Sequence, residues 1–325
     1  MSVSASYLRE HTVQQLLSGK KDVIPLVDVA ATASVEEALD LLLANDILTL
    51  PVYSTQNVPD NEERQYVGFV SAYDLLTFLV LCSKDAATKV SPSTNGEQSV
   101  SQLNRALQEP VASVVSLTNA GHTVPRVSLD DSVYSLLETT THLDQHRALV
   151  LTPNAGTAAP AAGTAPCIVT QTDLARFLTQ NFDMLGSLLD TTIEEVVSHL
   201  PEPHTLVSIP THTTAWDAFK TLNASGADAL AILGVDGDIV AECSATELRG
   251  LCPSRLEELR RPVLVYLRER AGGELPSPFT CRKAYTLSQC LAGMVRFGAR
   301  RVWLVDDDGA PQLAVTLNNL LRMFL

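Results

Sequence analysis

The sequence predicts an α/β (α+β) chain of four tandem units, each running strand, helix, strand, strand, helix. Three observations carry that reading. A strand–turn–helix stretch recurs: YVGFVSAYDLLTFLV from Tyr66 to Val80, APCIVTQTDLARFL ending at Leu178, DIVAECSATELRGL ending at Leu251, and APQLAVTLNNLLRMFL at the C-terminus. Each copy puts Ser or Thr at the turn and a polar side chain three residues on: Ser71 and Asp74, Thr170 and Asp173, Ser244 and Glu247, Thr316 and Asn319. Finally, Asp236-Gly237 and Asp308-Gly309 are hairpin signals between the paired apolar runs of the last two copies. A repeat of this kind decides the architecture before any single element does.

In the first unit, VQQLL after Thr12 leads into the extended apolar run DVIPLVDV. Ser34 opens a helix, because Glu37 three residues on completes a capping box. Val35, Ala38, Leu39 and Leu42 give that helix one apolar face. The run from Thr49 to Tyr53 reads as a strand, followed by a polar loop over residues 54–65. A buried strand from Val67 to Val70, a one-residue turn at Ser71 and a helix from Ala72 complete the unit. Residues 84–105, rich in Ser, Lys, Asn and Gln, read as a linker passing from ordered to flexible.

The second unit opens with PVASVVSL and continues with PRVSLDDSVYSLLETTTHLD, whose Asp130-Asp131 pair is expected to cap the helix that follows. HRALVLTP is its middle strand. Residues 153–166 are low-complexity Ala, Gly, Thr and Pro, expected as a mobile hairpin insertion where the first unit has its polar loop. The third unit follows as TTIEEVVSHL, LVSIPTHTTAWDAFKTLNASG and ADALAILGVDGDIVAE, and the fourth as RPVLVYLRER, PFTCRKAYTLSQCLAGMVRFG and RRVWLVDDDGAPQLAV. The units are bounded at 1–83, 106–183, 184–254 and 255–325. One small sheet with helices on one side leaves an apolar face uncovered, so the units are expected to pair. Chain order suggests the pairs 1–183 and 184–325.

Composition narrows the function. The 325 residues suffice for two domains of about 150 residues, and 46% hydrophobic with 18% charged residues is globular. No uncharged apolar run reaches the roughly 18 residues of a membrane span. The N-terminus lacks a basic segment before an apolar one, so a cytoplasmic or nuclear location is expected rather than secretion. A net charge of -14 argues against nucleic acid or an anionic membrane as partner, while leaving room for a small anion held by a local cluster of donors. The six cysteines form no C-x-x-C pair and read as reduced core thiols. No P-loop, G-x-S-x-G or Cys–His arrangement offers a carrier for catalysis, so the chain is expected not to be an enzyme. His199 and His204, with Glu202 between them, invite a metal reading, but Pro201 and Pro203 break any helical spacing. Asp306 to Asp308 is too short for a calcium loop, whose ligands spread over about 12 residues. No metal site is expected.

The repeated β-α-β-β-α order resembles the cystathionine-β-synthase (CBS) domain, whose copies pair into Bateman modules. Four such units with no catalytic or channel domain attached are similar to the γ regulatory subunits of AMP-activated and sucrose-non-fermenting-type protein kinases. The stretch PLVDVAATASVEEALDLLLANDILTLPVYS followed by YVGFVSAYDLL is laid out like their first unit. The resemblance implies two modules packed as a disk, AMP, ADP or ATP as ligand, no required cofactor, and kinase α and β subunits as partners. It also implies that the turn carboxylate holds the ribose hydroxyls, with the Ser or Thr nearby, while a basic pair at the start of the middle strand meets phosphate. Ser71, Asp74, Thr170, Asp173, Ser244, Glu247, Thr316 and Asn319 would then form the ribose side. His146, Arg147, Arg300 and Arg301 would form the phosphate side, converging if the modules make a disk.

The match is uneven. Only the second unit keeps all parts; Leu48 and Gly226 stand where basic residues are expected in the first and third, Glu247 lengthens one turn and Asn319 removes the acid from another. One or two occupied sites are expected, not four. Beside this stands the plain alternative that each [ST]-x-x-[DE] is simply a helix cap. His146-Arg147 would then be a solvated strand end and Arg300-Arg301, next to Arg296, surface charge. The chain would in that case be a ligand-free scaffold or adaptor with degenerate sites, acting on another protein target or as a homodimer.

Overall fold

Capping decides where the helices of this chain begin, and the strands follow from the apolar runs between them. The computed structural model describes residues 2–19, 26–54, 64–84, 95–118, 124–142, 146–150, 166–200 and 206–325. Helices α1 (Val3–Glu10) and α2 (Val13–Ser18) come first. The first unit runs β1 (Val29–Ala30), α3 (Val35–Ala44), β2 (Thr49–Tyr53), β3 (Tyr66–Ser71) and α4 (Ala72–Lys84). After α5 (Asn95–Leu107) and α6 (Val111–Thr118), the second runs β4 (Arg126–Val127), α7 (Val133–His142), β5 (Arg147–Val150), β6 (Cys167–Thr170) and α8 (Gln171–Gln180). Helix α9 (Ile193–Ser198) precedes β7 (Ser208–Pro210), α10 (Ala215–Ser225), β8 (Ala229–Leu233) and β9 (Ile239–Ser244). Here the closing helix is reduced to a 3₁₀ turn, Ala245–Leu248. Helix α11 (Val263–Arg270) leads to β10 (Thr280–Cys281), α12 (Leu287–Phe297), β11 (Arg301–Val305), β12 (Pro311–Thr316) and α13 (Leu317–Arg322).

Each unit builds one three-stranded sheet with its strands in chain order. The first two strands are parallel (Val29 opposite Val52 in the first unit) and the last two antiparallel (Leu50 opposite Val70). The helix between the parallel strands is the crossover such a pair requires. Ser34 starts it as expected: its hydroxyl accepts from Glu37 N at 3.1 Å, and Glu37 accepts from Ser34 N at 2.7 Å. Val35, Ala38, Leu39 and Leu42 are all fully buried. In the second unit Ser132, not the Asp130-Asp131 pair, caps α7, accepting from Ser135 N at 3.1 Å. Asp131 instead closes the preceding turn, accepting from Ser128 N at 2.7 Å.

The helix ahead of each unit is packed on another unit. Val13 N and Val133 N bond to Asp131 and His11 carbonyls, both at 2.8 Å, so α2 belongs with the second unit. Likewise α6 joins the first through Val111 N to Ala33 O (2.8 Å), α9 the fourth through Leu287 N to Thr191 O (2.8 Å), and α11 the third through Val263 N to Thr213 O (2.7 Å). Within the expected linker, residues 95–107 are helical as α5 and bury Leu103, Ala106 and Leu107. Residues 85–94 of the linker, residues 153–165 of the expected insertion, and Glu202 and His204 lie outside the described residues.

The chain divides into two compact bodies. One, the 2/4 body, is Met1–Leu26, Pro125–Leu206 and Pro278–Leu325, and holds the second and fourth units. The other, the 1/3 body, is Val27–Val124 and Val207–Ser277, and holds the first and third. This corrects the grouping of neighbours expected from chain order: the units that share a core alternate along the chain. In the 1/3 body, α4 meets α10, with Asn223 Nδ2 donating to Thr77 Oγ1 at 2.9 Å. The apolar core there joins Leu39, Leu75 and Leu79 to Phe219, Leu222 and Tyr266. In the 2/4 body, α8 meets α12 and α13, and Leu137, Val169 and Leu174 share a core with Leu291, Val302 and Leu320. Helix faces, each able to bury several aliphatic side chains, outweigh sequence adjacency in choosing partners.

Candidate functional site

The four repeated turns are all capping boxes. Ser71 N and Oγ both donate to Asp74 Oδ2, at 2.8 and 2.6 Å, while Asp74 N donates back to Ser71 Oγ at 3.2 Å. Thr170 N and Oγ1 reach Asp173 Oδ2 at 2.9 Å each. Ser244 N and Oγ reach Glu247 Oε2 at 2.9 Å each. Thr316 N and Oγ1 reach Asn319 Oδ1 at 2.9 and 2.8 Å. The Ser or Thr is thus spent on the cap in every unit, and what distinguishes the units is the atom the cap does not use.

For Asp74 and Asp173 that atom is a carboxylate oxygen, Oδ1, an acceptor. Asp173 is buried and its Oδ1 lies 3.7 Å from Arg176 Nη1. For Glu247 the other oxygen, Oε1, accepts from Thr246 Oγ1 at 3.0 Å, and burial pushes the carboxyl above its ordinary value. For Asn319 the cap takes Oδ1, so anything further is done through Nδ2, a donor. Geometry therefore separates the turns: beyond the cap Asp74 and Asp173 present a carboxylate oxygen, Glu247 spends its second oxygen on Thr246, and Asn319 presents a donor.

Strand register supplies the second half of the site. Arg147 lies directly opposite Thr170 and Arg301 directly opposite Thr316. Opposed residues of an antiparallel pair project from the same sheet face. His146 and Arg300 precede them, and their carbonyls accept from Gln171 N (3.1 Å) and Leu317 N (2.8 Å) at the helix starts. Gln171 Nε2 donates to Asn318 Oδ1 at 2.8 Å, which sets the α8 turn beside the α13 turn within the 2/4 body. His146, Arg147, Arg300 and Arg301 thereby flank two adjacent turns. Arg301 is 7% exposed, so its charge is held in the body and not on a solvated edge.

The same register corrects one expectation for the third unit. Gly226 is the left-handed C-cap of α10 (φ 66°), a conformation that favours glycine, and not the position facing the turn. Ala229 lies opposite Ser244, so the pair equivalent to His146-Arg147 is Asp228-Ala229. In the first unit it is Leu48-Thr49, with Thr49 opposite Ser71 and Leu48 O accepting from Ala72 N at 3.2 Å. At these positions the 1/3 body carries Leu48-Thr49 and Asp228-Ala229 where the 2/4 body carries bases, and Arg249 stands beside the first of them, its Nη1 donating to Asp46 Oδ1 at 2.9 Å and Ile47 O at 3.3 Å. Burial, and after it the negative charges of Asp228 and Asp74, raise the Tyr73 phenol above its ordinary value, so both carboxylates act on one ring. Sequence reading missed Asp228 and Thr49; counting positions back from the Ser or Thr turn across the hairpin finds both.

The remaining candidates are structural. His199 ends α9, its Nδ1 2.7 Å from Glu195 O. Asp306 closes the fourth hairpin, accepting from Asp308 N and Ala310 N at 3.1 and 2.9 Å. Among the described residues no group of three or more His, Cys, Asp or Glu is arranged to hold a metal ion, and no helix is long and apolar enough to cross a membrane. Cys167, Cys243, Cys281 and Cys290 are buried thiols.

Comparison with known proteins agrees with this architecture. The CBS domain family matches residues 21–81. Two Arabidopsis thaliana proteins, the SNF1-related protein kinase regulatory subunit gamma-like PV42a and PV42b, are similar over nearly the full chain. The first is 23% identical over 91% of this chain and 90% of its own length, the second 21% identical over 98% and 96%. Among solved structures, protein MJ1225 of Methanocaldococcus jannaschii, a proposed archaeal homologue of g-AMPK, superposes with a TM-score of 0.64. The superposition covers 94% of this chain and 97% of that one at 16% identity. The chain has the fold of tandem CBS units and resembles gamma-like kinase regulatory subunits.

Proposed function

We propose that this chain is a non-catalytic regulatory subunit that binds an adenine nucleotide (AMP, ADP or ATP) in its 2/4 body and passes the occupancy to a Ser/Thr protein kinase complex. The observation that supports it is the pairing of Asp173 Oδ1, an acceptor suited to ribose hydroxyls, with four basic residues around two adjacent turns. A carboxylate accepts from vicinal hydroxyls, and guanidinium groups meet phosphate through paired donors. The N-terminus of α8 adds a favourable field for an anion. Bound phosphate offsets the mutual repulsion of His146, Arg147, Arg300 and Arg301, so the occupied protein favours the arrangement in which they lie closest.

The kinase arm rests on the likeness to gamma-like regulatory subunits. Its test is co-expression with kinase α and β subunits: recovery of a three-chain complex supports it, and recovery of the chain as a homodimer alone overturns it. The nucleotide arm is tested by calorimetry with AMP. Arg147→Ala with Arg301→Ala is expected to abolish binding that the unaltered chain shows. A second reading, a scaffold with degenerate sites, draws on the fact that every turn is already satisfied as a cap; it predicts no heat with AMP, ADP or ATP at millimolar concentration.

A further inference from the structure

Residues 275–305 carry five cations and no acid, in a chain whose net charge is -14. Arg282 and Lys283 are tied to Asp307 and Glu194, at 3.0 and 3.3 Å. Arg301 is buried, and Arg300 belongs to the phosphate reading above. Arg296 stands apart from these: it is exposed in the last turn of α12, its guanidinium 5.8 Å from the centre of the Phe297 ring.

Phe297 is 65% exposed, at a position where other units carry a helix cap. Helix α12 ends on left-handed Gly298 (φ 64°), α10 on Gly226 (φ 66°), and α3 passes into Asp46 (φ 49°). The residue just before is Ser225 in the third unit, whose hydroxyl donates to Leu222 O at 3.0 Å. In the first unit it is Asn45, whose amide donates to Leu41 O at 2.9 Å. Phenylalanine can make neither bond. Its ring instead meets Phe279, with 5.5 Å between centroids and 45° between planes. Phe279 precedes β10 and is partly buried. It lies over Gly293, where any Cβ would run into the ring, so the bare backbone of α12 seats it. An isolated exposed apolar side chain needs no explanation, but two rings in contact beside an arginine have the composition of an interface centre.

We propose that Phe279, Phe297 and Arg296 form a docking face for an acidic protein segment that carries one large apolar side chain. Aromatic side chains present much area for few rotatable bonds, so little ordering opposes their use as anchors. Charge complementarity selects the partner. All 37 acidic residues of the chain lie outside residues 275–305, so this band is positive and attracts acids. Two copies meeting through the same face would set Arg296 against Arg296, and nucleic acid would meet the net charge of -14. The face shares no residue with the ribose or phosphate sides and does not depend on them.

The test titrates the full chain, without nucleotide, into end-labelled peptides of about twelve residues and reads fluorescence anisotropy. One peptide is Glu, Gly and Ser around a single central Trp; a second has Ser in place of Trp, and a third Lys in place of every Glu. The first is expected to bind and the other two to bind at least about tenfold more weakly. Phe297→Ala should weaken the first by at least about tenfold, while Phe297→Tyr, which keeps the ring, stays within about threefold. Arg296→Glu should weaken it several-fold at low salt and less as salt is added. Thermal melts of these variants should match the unaltered chain, because both side chains are exposed. The proposal is overturned if the Trp peptide does not bind at about 0.5 mM chain, or if Phe297→Ala binds it unchanged. It is equally overturned if the lysine peptide binds as well as the acidic one. Displacement of the peptide by an oligothymidylate better than by unlabelled peptide would make the face a nucleic-acid site instead. A dimer in sedimentation that Phe297→Ala turns into a monomer would give the face to a second copy. AMP calorimetry on the same Phe297→Ala chain reads the nucleotide proposal separately, and is expected to be unchanged.

Discussion

Asp173 does two jobs with two oxygens, and Asp173→Asn separates them. The cap uses Oδ2, which accepts from Thr170 N and Oγ1 at 2.9 Å each. An asparagine can keep both bonds through its own Oδ1, as Asn319 does in the fourth unit at 2.9 and 2.8 Å. The exposed end of the Arg176 contact at 3.7 Å adds little, about 0–1 kcal/mol for a pair of this kind. Asp173→Asn is therefore expected to change unfolding free energy by less than about 1 kcal/mol, whereas Asp173→Ala, which keeps the Thr170 cap but loses the two bonds that Oδ2 accepts, costs about 1–2 kcal/mol. Ligand binding should respond differently. The atom left beyond the cap becomes an amide donor, and losing a hydrogen bond to a charged acceptor costs about 1.5–3 kcal/mol, or roughly 10- to 150-fold in Kd. Urea unfolding and AMP calorimetry on the same two variants read both quantities. If the asparagine variant binds AMP like the unaltered chain, Oδ1 is not the acceptor; if it unfolds as easily as the alanine variant, the capping account is wrong.

Other expectations follow from the packing. Burial raises the Glu247 carboxyl above its ordinary value of 4.5, so the folded state holds this proton longer than the unfolded chain. Stability contributed by this group is present below 4.5 and falls as pH rises from there through the folded value; Glu247→Gln should flatten that part of a urea-midpoint profile. Gly250 has φ 69°, and a Cβ there would run into Leu43, so Gly250→Ala should destabilise the 1/3 body by about 1–3 kcal/mol in thermal unfolding. Deleting residues 1–26 removes Leu8, Val13 and Leu16 from the core of the 2/4 body. Hydrogen exchange should then accelerate in α7 and α8, not in the first unit that directly follows in the chain.

Much of this molecule was readable from its residues. The strand from Thr49 to Tyr53, the Ser34 cap with its buried face and all four Ser or Thr turns stand where local pattern puts them, because each depends on contacts within a few residues. What escaped depends on distance or on dilution. In α5, Leu103, Ala106 and Leu107 keep helical spacing, but polar neighbours lower the mean hydropathy of the segment enough to read as linker. The exchange of α2, α6, α9 and α11 between units, and the grouping of alternate units, arise from long-range burial that no short period encodes. Gly226 was mistaken for a strand-start position because helix ends and strand starts lie two residues apart; only the pairing of Ala229 with Ser244 brings Asp228 forward. Which turn atoms remain beyond the caps is likewise a matter of hydrogen-bond geometry, not of residue type alone.

The most direct test of the account is a crystal structure of the full chain grown with AMP. The account predicts a nucleotide in the 2/4 body, its ribose on Asp173 Oδ1 and its phosphate among His146, Arg147, Arg300 and Arg301. Phosphate held away from these four residues, or no nucleotide in a protein saturated with millimolar AMP, would contradict it.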